Sequence, residues 1–188
     1  MKRSKSLALL FAFVGGAVAL ISAPQTWVTV SFGSASSLTF ELAGQVASPA
    51  LVAISSAVLA SAAVLALVRG VARHIFAAIG AALAIALAIV VLAARAASSQ
   101  SLADAALRAS GIGAGGIDTS ELLADWTALV WVAFGAAVLA FVGFVFAVLT
   151  ASRWPLSGQR YERTQRATDT AAGQWDALSD GDDPTAVS

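Results

Sequence analysis

Apolar residues gather into four uninterrupted runs along the chain: Leu7 to Ala23, Pro49 to Val68, Ile75 to Ala94 and Trp126 to Leu149. None of the four contains Asp, Glu, Lys, Arg or His. A bilayer core of ~30 Å needs ~20 helical residues, with a range of ~17–25, so each run is long enough to cross. Ala, Leu and Val dominate the runs, and a helix satisfies its own backbone where no water can. The pattern predicts an all-α integral membrane protein: a four-transmembrane-helix bundle over residues 1–152, then a largely disordered tail over 153–188.

Polar positions between the runs orient them. Lys2, Arg3 and Lys5 precede the first span, Arg69 and Arg73 lie in the short turn between the second and third, and Arg153, Arg160, Arg163 and Arg166 follow the fourth. Only Arg95 and Arg108 fall elsewhere. Lys and Arg are retained on the cytoplasmic side, which places both termini and the middle turn in the cytoplasm and two loops outside. In a bacterial cell this is a multi-pass plasma-membrane protein. A secretory signal peptide is the other reading of the first span, with Ile21-Ser22-Ala23 as its cleavage site. Pro24 directly after that site disfavours it, as does a run longer than the ~7–15 residues of a signal core.

The first outer loop, Pro24 to Ser48, carries two short segments rich in β-branched and aromatic residues, 27–32 and 38–42. A Gly-Ser-Ala-Ser-Ser turn separates them, which predicts a small extracytoplasmic β-hairpin between the first two helices. A lone hairpin is marginal in water and needs the helix ends as support. Trp27 stands where an interfacial aromatic belt would place it, and is read as a membrane-surface residue rather than a ligand contact. In the second outer loop, Ser101 with Asp104 three residues on is a capping-box pattern for a short helix. Asp118 and Glu121 repeat the pattern at the start of the fourth helix, which is then expected to begin outside the membrane. Gly111-Ile112-Gly113-Ala114-Gly115-Gly116 between them matches a nucleotide fingerprint by letter, but no strand precedes it, and it reads as a flexible linker. The turn Arg69 to His74 ties the second and third helices into an antiparallel hairpin. His74 there reads as an interfacial polar residue, with proton handling as the alternative.

Composition narrows the chemistry. Of 188 residues, 59% are hydrophobic and 12% charged, with formal net charge zero, so surplus cations for nucleic-acid phosphates are missing. No Cys and a single His leave no thiol nucleophile and no imidazole cluster for a metal or for acid–base work. No metal, cofactor or catalytic residue is expected. Gly15, Gly16, Ser56, Ala60, Gly80, Gly135 and Gly143 permit close helix approach, which fits either an intramolecular bundle or a homo-oligomer.

The tail splits by charge. Arg153, Trp154, Arg160, Tyr161 and Arg163 form a basic half with interleaved aromatics, able to lie on an anionic inner leaflet, although the ordinary cytoplasmic bias also accounts for it. From Asp169 onward every charge is acidic, too polar to fold alone. Within that half, Trp175 and Leu178 share one face of any helix that forms, beside Asp180, Asp182 and Asp183. Segments of this kind fold on binding, so these five residues are the candidate contacts for a cytosolic protein partner.

The order of features resembles a known family. The residues that carry the likeness are Pro24-Gln25-Thr26-Trp27-Val28, Pro49-Ala50-Leu51, Arg153-Trp154-Pro155, Arg160-Tyr161-Glu162-Arg163, and the tail from Trp175 to Thr185. Together they are similar to the actinobacterial tryptophan-biosynthesis-associated membrane proteins, encoded among tryptophan operon genes. The resemblance implies a bacterial plasma membrane, four helices and a link to tryptophan metabolism. It supplies no activity and no catalytic residues. An enzyme is disfavoured on inventory. Uncharged, unbroken spans also lack the marks of an ion-coupled carrier. The expected role is a non-catalytic accessory or anchoring protein whose tail binds a partner. The alternative is a transporter or facilitator for tryptophan, anthranilate or a related aromatic compound.

Overall fold

The computed structural model describes residues 2–32, 38–110 and 122–154. Four of its helices are long and apolar enough to cross a membrane: α1 (Lys2–Ser22), α3 (Ala50–Leu67), α4 (Val71–Arg95) and α6 (Leu129–Thr150). At ~1.5 Å per residue, the 18 residues of α3 span about 27 Å. Between α1 and α3 lie β1 (Thr26–Phe32), β2 (Leu38–Ala43) and the one-turn helix α2 (Gly44–Ala47). Between α4 and α6 lie α5 (Ser99–Ser110) and β3 (Leu122–Trp126).

The helices close a ring in which α6 packs on α1 and α4, and α3 packs on the same two. Alanine and glycine make up much of the inward seam, with a few large side chains such as Leu51, Leu87 and Phe144 among them. Along α4 the buried positions are Arg73, Ala77, Gly80, Ala84, Leu87, Val91 and Ala94, alternating by four and three, the spacing of a left-handed helix seam. Ile75, Ile79, Ile85, Ile89 and Leu92 stand on its outer face. In lipid the hydrophobic drive between helices is gone, and close backbone approach takes its place. The α1–α6 contact shows it directly. A Cβ added to Gly15 would lie 2.5 Å from the Ala136 carbonyl oxygen, and one on Gly143 would lie 2.6 Å from the Ala12 nitrogen. Gly80 likewise receives the Phe144 ring.

Three of the small residues that permit close helix approach lie outside the contacts within this bundle. Ser56, Ala60 and Gly135 are exposed. The inward seam of α3 runs through Leu51, Ser55, Val58, Ala62 and Leu65 instead. Ser55 and Ser56 both return their hydroxyls to the carbonyl four residues back, at 2.7 Å each, so neither needs a partner helix.

The extramembranous part is larger than a hairpin, and the all-α class needs that correction. β1 pairs antiparallel with β2 on one side and with β3 on the other, giving the order β2-β1-β3. The third strand takes Leu122 to Trp126 out of the fourth helix, which begins only at Leu129. Helix α5 roofs one face of the sheet: Leu102, Ala103 and Ala106 pack on Val28, Val30 and Leu42. Its cap is Ser98 rather than Ser101: the Ser98 hydroxyl accepts from the Ser101 amide at 3.3 Å. The turn after α3 is shorter than expected, because α4 begins at Val71 and takes in Arg73 and His74.

Candidate functional site

Charge divides the described residues between the two ends of the bundle. At the sheet end lie Glu41, Asp104 and Asp125, with Arg95 and Arg108. At the other end, where α1 and α4 begin and α3 and α6 finish, lie Lys5, Arg69, Arg73 and His74. Each end buries one tryptophan completely or nearly so, and the two are held by different chemistry.

Trp27 follows α1 as the second residue of β1. Thr26 pairs with Ala43 and Val28 with Leu42, so Trp27 is the extra residue of a bulge. A bulge re-aims a side chain, and here it turns the indole down into the helix bundle. Trp27 is 0% exposed, and its Nε1–H donates to the Ser22 carbonyl at 2.9 Å. Gly44 lies flat against the ring: a Cβ there would sit 2.5 Å from Cε2. The Trp27 carbonyl accepts from the Thr127 amide at 2.9 Å, and the Thr127 hydroxyl donates to the Thr26 carbonyl at 2.9 Å. These bonds join the exit of α1 to the entry of α6. The expected place of Trp27 in an interfacial belt is therefore corrected, since a fully enclosed ring meets no headgroups. The tryptophans left at this end for an interface are Trp126, half-buried, with the Arg95 guanidinium 5.0 Å from its centroid, and Trp131, 60% exposed in the first turn of α6.

Trp154 closes the opposite end. After α6 a single 3-10 turn, Ala151–Arg153, swings the chain back over the bundle. Trp154 is 3% exposed and joins the main core, so it too is no surface residue. Its Nε1–H donates to the Thr150 hydroxyl at 3.0 Å, and that hydroxyl donates to the Phe146 carbonyl at 2.6 Å. Two cations face the ring: the Arg73 guanidinium at 4.9 Å and the Lys5 ammonium at 5.9 Å. Arg73 also donates through Nη1 to the Ala151 carbonyl at 3.1 Å, at the C-terminal end of α6, where a cation is favoured. Lys5 donates to the Ala66 carbonyl at 3.4 Å. Three helices and the root of the tail thus meet on one indole.

Arg73 was legible only as a positive-inside charge in a turn. In the structure it is 4% exposed, and its Nε is the one buried side-chain nitrogen or oxygen without a partner among the described residues. The other buried polar side chains there are Ser22, Ser55 and Ser61. No group of three His, Cys, Asp or Glu able to hold a metal occurs among the described residues.

Of the other residues singled out from the sequence, Arg153 has a described backbone in the 3-10 turn, but its side chain lies outside the described set. Arg160, Tyr161, Arg163, Trp175, Leu178, Asp180, Asp182 and Asp183 also lie outside the described residues, as do Asp118 and Glu121. The family model described as a tryptophan-associated transmembrane protein matches residues 9–185. No curated protein and no solved structure matches the chain.

Proposed function

The chain belongs to the family of tryptophan-associated transmembrane proteins, and from that premise we propose a non-catalytic accessory role in tryptophan biosynthesis. In this reading the four helices anchor the protein, the sheet and α5 cap it outside the cell, and the tail engages a cytosolic partner. The carrying observation is the closed bundle. Gly15 and Gly143 bring the α1 and α6 backbones into contact, and Arg73, the buried ionisable side chain among the described residues, sits at the bundle's end rather than along a path through it. A carrier marks its path with intramembrane ionisable groups or broken helices.

The cation-rich end is the cytoplasmic one in this account, because Lys and Arg are retained there. Both termini then face the cytosol, and the tail starts from Trp154 at the membrane surface. Trp175 and Leu178 insert into a partner groove, while Asp180, Asp182 and Asp183 set electrostatic preference. A tryptophan-pathway enzyme is the partner that family membership favours.

Paired pools of tryptophan and anthranilate, inside and outside the cell, test the proposal in wild-type, deletion and tail-truncated (lacking residues 169–188) strains. The accessory role predicts that total synthesis changes on deletion and that truncation or Trp175→Ala reproduces the change. If deletion redistributes the pools across the membrane while synthesis holds and truncation does little, the protein is a transporter and the proposal is wrong.

A further inference from the structure

We propose that the cation-rich end of the bundle, at the start of α4, binds the phosphate of an anionic phospholipid. Four observations converge there. Helix α4 begins after Gly70, which has no side chain to cap the first turn. The open N-terminus of a helix directs N–H groups and a partial positive charge at an anion. Gly70 has φ 64°, and a Cβ built on it would meet nothing within 4 Å, so the approach is open. Arg73 in that same first turn keeps a buried, unpartnered Nε and shares one indole with Lys5. Two cations on one ring repel, and the described acids, Glu41, Asp104 and Asp125, all lie at the opposite end. Arg69, directly before Gly70 in sequence, is exposed.

The apolar surroundings select a lipid over a free anion. Leu67 is 81% exposed, Val71 76% and Ile75 54%, and they flank Arg69 and Gly70 in sequence. An amphiphile carrying a phosphate above and acyl chains below fits that juxtaposition, whereas inorganic phosphate uses only half of it. Basic pockets at the cytoplasmic ends of helices take lipid headgroups in this way. The proposal does not depend on the tail having a partner.

The test measures the unfolding midpoint of the purified full-length protein in detergent, titrated with phosphatidylglycerol, phosphatidylcholine or inorganic phosphate. Phosphatidylglycerol is expected to raise the midpoint by about 4 °C more than phosphatidylcholine, and inorganic phosphate to leave it nearly unmoved. Arg69→Gln, at an exposed side chain, should weaken phosphatidylglycerol binding about fivefold, and Lys5→Gln should add to the loss. Arg108→Gln, at the far end, should change nothing. Equal rises with both lipids, an undiminished rise in the Arg69→Gln, Lys5→Gln double variant, or a full rise with inorganic phosphate would each overturn the proposal. A rise seen only after residues 169–188 are removed would also overturn it, because the acidic tail would then be the occupant.

Discussion

The two ends of the bundle solve one problem, a buried tryptophan at a helix terminus, with opposite means. At the sheet end Trp27 is fixed by neutral groups: a carbonyl for its N–H, a glycine against its face, and backbone bonds that join it to Thr127. At the cation-rich end Trp154 is fixed by Arg73 and Lys5 stacked on its face, with one hydroxyl for its N–H. The first arrangement depends on shape and has no slack. The second depends on charge, and its long side chains can reach water when released. One end is built as a rigid joint between elements, the other as a fastening at the root of a charged tail.

Truncating each indole should separate the two most widely. Trp27→Ala leaves a cavity in a framework of strands and helix ends that cannot collapse, at about 4 kcal/mol in detergent unfolding. Trp154→Ala frees two cations to hydrate, which offsets part of the loss, and should cost about 2 kcal/mol. Equal losses would erase the distinction. Gly44→Val tests the shape argument alone, since its side chain must overlap the Trp27 ring, and about 2 kcal/mol of overpacking is expected. If Gly44→Val is neutral in thermal denaturation, the ring has room that the structure does not show.

Smaller effects sharpen the charge argument. Arg73→Met keeps the stem but removes the guanidinium from Trp154 and leaves the Ala151 carbonyl without its donor, at about 1–2 kcal/mol. Arg95→Met makes the matching change over Trp126, but Arg95 is exposed, and about 0.5 kcal/mol is expected there. Thermal unfolding of the two variants side by side checks the order. A larger loss at Arg95 would mean that burial does not strengthen the stacked cation.

Why some of this was readable in the sequence, and some not, follows from the same physics. Uncharged apolar runs announce their helices, because a single ionisable group within them would be costly. β1 and β2 were readable from β-branched and aromatic composition. β3 was not: Leu122-Leu123-Ala124-Asp125-Trp126 runs into the apolar stretch of α6, and only pairing with β1 makes it a strand. The inward face of α3 was unreadable because a helix apolar all round carries no amphipathic signal, so Ser55 could not be told from Ser56. A tryptophan just past a span ordinarily lies at the interface, so the sequence alone places Trp27 there. The bulge that turns it inward has no local signature beyond Gly44, seventeen residues on. In the sequence Arg73 is one positive charge among several, since nothing in a linear sequence brings Ala151 and Trp154 beside it.

The proposed role requires that the two ends face different compartments, with the tail-bearing, cation-rich end in the cytosol. The chain has no cysteine, so single substitutions can be labelled without background. Ser101→Cys on the exposed face of α5 and Arg69→Cys beside Gly70 report on the two ends. In intact cells a membrane-impermeant thiol reagent should label Ser101→Cys and spare Arg69→Cys until the membrane is permeabilised. Labelling of Arg69→Cys from outside, with Ser101→Cys protected, would invert the protein and remove the tail from any cytosolic partner.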